Sequence, residues 1–132
     1  MRKLIFTSIA ATILLSGCQE SLEKRALREA REYTERYCPT PVQNYTRTDS
    51  VVFDLASHTY HYYCSVVGDL DDAKIFGLNQ KKIDGALLQS VRENTSFLAY
   101  KKEGFSFAWT LRSGKNPKVV YFNRKYTTKD YK

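Results

Sequence analysis

A two-layer α+β fold, with an antiparallel sheet of about four strands and two helices packed on one face, follows from three features of the 132-residue sequence. Apolar residues recur with a helical period in two segments and with period two in four others. Those segments run in the order helix, strand, strand, helix, strand, strand. Each pair of strands is joined by a short connection. A hydrophobic content of 42% and an aromatic content of 14% separate the chain from disordered polypeptides, and its length accommodates one core.

The first helix is read from Ser21 to Tyr37, where Leu22, Ala26, Ala30, Tyr33 and Tyr37 fall on one face. Ser21 supplies an N-cap, Glu23 suits the first turn, and Pro39 and Pro41 bar continuation. Val51 to Ala56 alternates, and His58 to Val67 is rich in Tyr and Val, so both segments read as strands of a hairpin. Period two then places Tyr60, Tyr62, Cys64 and Val66 on one face of the second strand and His61, Tyr63, Ser65 and Val67 on the other. Gly68 to Asp72 is a turn, Gly77 breaks the short element after it, and Asn79 caps a second helix that aligns Ile83, Leu87, Leu88, Val91 and Leu98. Phe105, Phe107, Trp109 and Leu111 alternate with Ser106, Ala108, Thr110 and Arg112 as a half-buried strand. Ser113 to Pro117 turns it into a last strand from Lys118 to Asn123. The tail from Arg124 carries no apolar period.

Ahead of this domain stands a different kind of segment. Met1-Arg2-Lys3 is a positive start, and Leu4 to Leu15 is an apolar run interrupted by Thr7, Ser8 and Thr12. Twelve residues fall short of the roughly 20 that span a bilayer core, so the run reads as the core of a signal peptide. It ends in Leu15-Ser16-Gly17-Cys18, which resembles the lipobox of bacterial lipoproteins. The resemblance covers residues 1 to 18 and is silent on the fold beyond them. It implies a signal peptide over 1–17 that is cleaved, diacylglycerol on Cys18, and a single mature domain over 18–132 held on the membrane by its N-terminal lipid. Gln19, where Asp would retain an enteric-type lipoprotein at the inner membrane, implies sorting to the outer membrane.

In an exported chain the remaining cysteines, Cys38 and Cys64, are expected to form a disulfide, because an even number of thiols in an oxidising compartment more often bridges than stays free. Such a bridge would also set the Tyr60 and Tyr62 face against the first helix. Charge is concentrated at the C-terminal end: residues 101–132 hold nine Lys or Arg against Glu103 and Asp130. Lys115, Lys118, Arg124, Lys125, Lys129 and Lys132 form the candidate basic patch, attractive to an anionic surface or polymer within a Debye length. Nucleic acid is not expected in this compartment.

No phosphate-binding glycine loop, Gly-x-Ser-x-Gly or His-Glu-x-x-His occurs. His58, His61 and Cys64 are spaced by three, which on a strand sends His61 to the face opposite its neighbours, and Asp69, Asp71 and Asp72 lack the glycine and distal Glu of an EF-hand. The expectation is no catalytic residue, no metal and no cofactor. The candidate binding face is instead the side of the sheet away from the helices, with His61, Tyr63 and Val67 joined by Val120 and Phe122, or by Val119 and Tyr121 in the other register. Aromatic residues beside cations are the composition of a protein interface. The expected role is a lipid-anchored cell-envelope protein acting as a small binding or inhibitory module for a protein or an anionic envelope polymer. The alternatives are a structural component of a larger membrane complex and, further off, an enzyme.

Overall fold

The computed structural model describes residues 20–132; the expected signal peptide over 1–17 and the expected lipidation site Cys18 lie outside them. Helix α1 (Leu22–Tyr37) is followed by β1 (Thr46–Asp54), β2 (Thr59–Val66), α2 (Ala73–Glu93), α3 (Leu98–Lys102), β3 (Ser106–Ser113), β4 (Val120–Tyr126) and a final turn of helix, α4 (Thr128–Tyr131). The fold class and the order of the main elements are those expected. One sheet forms in the order β1-β2-β3-β4, and the helices cover the face that carries Tyr60, Cys64, Phe107, Trp109 and Leu111.

The sheet is mixed, a correction to the all-antiparallel expectation. β1 with β2 and β3 with β4 are antiparallel, whereas β2 and β3 lie parallel, from Thr59 opposite Ser106 to Val66 opposite Ser113. The cause is the connection between them. The 21 residues of α2 run about 31 Å, enough to carry the chain back along the sheet, so β3 starts at the end where β2 started.

Local chemistry sets each boundary. The Ser21 hydroxyl accepts from Lys24 N, capping α1, and Ala26 and Ala30 are small enough to bring that helix close to β1. Thr34 then closes part of the exposed sheet edge. Its hydroxyl donates to Val51 O and accepts from Val51 N, both at 2.9 Å, so these backbone groups are not free to pair with another chain. Tyr33 and Tyr37, expected on the buried face, are instead at the surface, Tyr37 more exposed than Tyr33.

Helix α2 starts seven residues earlier than expected. Asp72, not Asn79, is the cap and accepts from both Lys74 N and Ile75 N. Gly77 sits within the helix on its solvent side, where its lack of a side chain leaves no gap. Leu98 belongs to α3 and is exposed. The tail beyond Asn123 is ordered by polar bonds in place of an apolar period. Tyr126 and Arg124 both bond the Asp84 carboxylate, and Asp130 closes a capping box with Thr127.

Candidate functional site

The face of the sheet opposite the helices has no element packed on it among the described residues, and alternation decides what it displays. From β2 come His61, Tyr63 and Ser65; from β3, Ala108, Thr110 and Arg112; from β1, Val52 and Asp54; from β4, Asn123 and Lys125. The His61 and Tyr63 rings stack with centroids 4.1 Å apart and planes inclined by 7°. His61 Nε2 lies 2.7 Å from the buried Thr110 hydroxyl, which is 3.4 Å from Asn123 Oδ1. Burial, and behind it the Arg112 charge, holds the His61 imidazole below its ordinary range, so the ring is neutral at pH 7. Stacked on one side and hydrogen-bonded at its edge, it is a fixed surface group.

Beside this stack is a shallow depression of about 240 Å³, floored by Ala108 and Thr59 and walled by His61, Asn123, Lys125 and Asp54. Toward the other end of the strands Arg47 donates to Asp49 at 2.8 Å, Ser65 donates to the second oxygen of the same carboxylate, and Arg112 has no ion-pair partner among the described residues. The face is therefore polar at both ends with aromatic and aliphatic surface between them.

Phe122 does not belong to it. It is 5% exposed and lies near Phe76 on the helix side, whereas Val120, two residues earlier, is exposed opposite Arg112. A β-bulge between Leu111 and Arg112 puts Phe122 opposite Leu111 and Val120 opposite Arg112, so the two residues face opposite ways. Val67 falls just beyond β2 and is half-buried. Thr110, Asn123 and Arg112 were not singled out from sequence, although strict alternation along Phe105–Arg112 placed Thr110 and Arg112 away from the core.

The basic residues are dispersed. Lys115 and Lys118 are in the β3–β4 turn, Lys125 is on the open face, Lys129 is on α4 and Lys132 follows it. Arg124 lies on the helix side, paired with Asp84 at 2.7 Å and Asp130 at 3.3 Å and stacked over the Tyr126 ring.

Cys38 and Cys64 are free thiols in this structure. Cys64 faces the helices, as alternation requires, with its sulfur 3.7 Å from the Thr48 hydroxyl. Thr40, two residues past Cys38, is bonded to Thr48 through N–H to O at 3.0 Å. Burial pushes the Cys64 thiol up to about 11 and raises Cys38 as well, so both are protonated at neutral pH and neither is poised as a nucleophile. His58 lies against Phe105 at the β1–β2 turn, the rings 5.0 Å apart and tilted by 41°, apart from His61, and among the described residues no group of three or more His, Cys, Asp or Glu side chains is placed to hold a metal ion.

Among the described residues no helix is long and apolar enough to cross a membrane. No curated protein matches the chain significantly. It is similar to the crystal structure of a Pseudomonas aeruginosa protein inferred to be secreted, with a TM-score of 0.70 and 14% identity over 86% of this chain and 99% of that one. At this identity the likeness is one of fold. Residues 21–122, from the cap of α1 into β4, match the family described as "Domain of unknown function (DUF8479)", and the chain belongs to that family.

Proposed function

We propose that this chain is a lipid-anchored protein of the bacterial cell envelope that binds a partner protein through the helix-free face of its sheet. The leader and the lipobox resemblance at Leu15–Cys18 support export and anchoring, outer membrane over inner, and the secreted description of the Pseudomonas neighbour is in keeping with export. The observation that carries the binding role is the fixed His61–Tyr63 stack on an uncovered sheet, with Val52 and Val120 exposed near it and Arg112 and Lys125 at its margins. Aromatic surface with guanidinium and ammonium groups around it is the make-up of interface hot spots. The same cations favour a second reading, in which the occupant is an anionic envelope polymer.

Cross-linking in intact cells tests this. The wild-type chain is expected to capture a specific partner that a His61→Ala/Tyr63→Ala variant loses, with capture weakened by salt. Both side chains are at the surface of the sheet, so the variant keeps the core. Identical companions for the two proteins, or none, would remove the face from consideration.

Export also bears on the two thiols. We propose that Cys38 and Cys64 join in the mature protein, their two electrons and two protons passing to a protein disulfide of an envelope oxidoreductase, which is reduced to its dithiol. Closing a loop of this size stabilises a chain by roughly 3.5 kcal/mol in the entropy model. Non-reducing peptide mapping of protein purified from the envelope is expected to return one cross-linked peptide containing both cysteines and a melting temperature that falls in reductant. Two alkylatable thiols in that material would refute the bridge.

A further inference from the structure

A second surface lies on the helix layer, at the solvent side of α2. Leu78 is the most exposed large apolar side chain described, at 80%, and helical spacing surrounds it with Lys74, Lys81 and Lys82. These three lysines have no ion-pair partner among the described residues, in contrast to Arg25 and Arg28 on α1, which are paired with Glu29 and with Glu20 and Glu32. Farther along the same side comes Arg92, whose guanidinium donates to Asp130 O and so brings α4, with the exposed Lys129, alongside. The acids of α2 are Asp84, which is turned to Arg124 and Tyr126, and Glu93, at its last turn.

Next to Leu78 the surface continues into an open groove of about 630 Å³ between α2 and the Asn44–Tyr45 turn, lined by Tyr45, Leu70, Ile75, Lys82 and Ile83, with Asp69 as its one acid among the described residues. Tyr45 is held there at a cost. Asn44 and Tyr45 both adopt positive φ, 51° and 61°, a conformation unfavourable for a bulky aromatic. Gly68, itself at φ 64°, makes room for the ring: a Cβ at that position would stand 3.2 Å from Tyr45 Cδ1. The chain thus accepts backbone strain to display a half-exposed tyrosine beside Ile75 and Leu78, with cations around them.

We infer that this surface rests on an anionic phospholipid bilayer. Apolar side chains and an amphipathic ring at the level of the headgroups, within a field of unpaired lysines, match the chemistry of an interfacial helix. The geometry fits the anchoring read from the lipobox, on which the orientation rests: α1 begins at Leu22, four residues after Cys18, and lies in the same helix layer as α2. A chain tethered there and seated on α2 turns its His61–Tyr63 face away from the membrane, toward a partner.

The test uses the mature chain from Gln19 without acyl groups, which retains every element of the fold. Its co-sedimentation with vesicles containing phosphatidylglycerol is compared with that on pure phosphatidylcholine. Binding is expected on the anionic vesicles only and is lost at high salt. Each lysine near such a surface contributes about a five-fold factor, so Lys74→Gln/Lys81→Gln/Lys82→Gln is expected to lower partitioning at least about ten-fold. Leu78→Ser is expected to lower it too, and its exposure leaves the circular dichroism unchanged. No binding, equal binding to both vesicles, or full binding by either variant overturns the inference. Because the protein carries no lipid, an unmodified Cys18 in cells would defeat the lipoprotein reading and leave this result standing.

Discussion

Phe107→Ala is expected to lower the melting temperature by about 10 °C or more. Phe107 has no exposure, and its ring lies 4.5 Å from that of Phe97 and 5.9 Å from Tyr131. It is therefore the point at which the α2–β3 connection and the C-terminal α4 both meet the sheet. Truncation removes the transfer energy of a buried aromatic and leaves a cavity that its neighbours on two separate elements cannot close together, about 3 to 5 kcal/mol in total. Against a typical domain stability of about 5 to 15 kcal/mol, this moves the protein close to unfolding. Thermal denaturation followed by circular dichroism measures it. A shift of only a few degrees would mean that Phe97 and Tyr131 collapse into the space and that the core is plastic there. Phe107→Leu, which retains much of the volume, is expected to recover most of the loss.

That Phe107 faces inward was legible from the sequence, and the reason is general. Where one side of a strand is buried against a core, large apolar side chains recur at every second position, and Phe105, Phe107, Trp109 and Leu111 do so, although Ala108 and Thr110 between them are also buried beneath their neighbours. The same holds for β2, whose Tyr60 and Cys64 are buried while His61 and Tyr63 stand on the open side. Strand direction was not legible. Parallel pairing of β2 with β3 is fixed by the path of α2, and nothing in the composition of either strand records it. Nor was the far half of the open face, because the bulge at Leu111/Arg112 inserts one residue into the alternation of β4 and reverses Phe122 relative to Val120. Asn79 misled for another reason: Asn79 and Asp72 both have capping side chains, and only the tertiary position of Phe76 against Tyr121 and Phe122 shows that the helix has already begun. The basic tail, legible as composition, is divided among three places by the fold, and the lysines of α2, scattered through the less basic part of the sequence, form the more continuous cationic face.

Cys18→Ala is expected to abolish acyl labelling of the protein and to change its N-terminus. Each buried methylene of an acyl chain contributes about 0.8 kcal/mol, so one chain gives marginal, reversible binding and two or more hold a protein on a bilayer for practical purposes permanently. The lysines of α2, at about 1 kcal/mol each near an anionic surface, orient a tethered domain but cannot replace the tether. A variant chain that is still processed is therefore expected in the soluble envelope fraction, and one that is not retains the 17 residues of leader. Intact mass of the wild-type and variant proteins separates these states, and metabolic labelling with a fatty acid identifies the anchor. Wild-type protein recovered from membranes with Cys18 unmodified behind an uncleaved leader would end the lipoprotein reading. The proposed tether would also determine what the sheet face has to do. A module confined to the membrane surface meets a membrane-bound partner at an effective concentration far above its bulk value, so modest intrinsic affinity suffices. If His61 and Tyr63 serve such a partner, Cys18→Ala should release most of it even though the binding face is untouched, and restoring the tether by a different lipid anchor should bring it back.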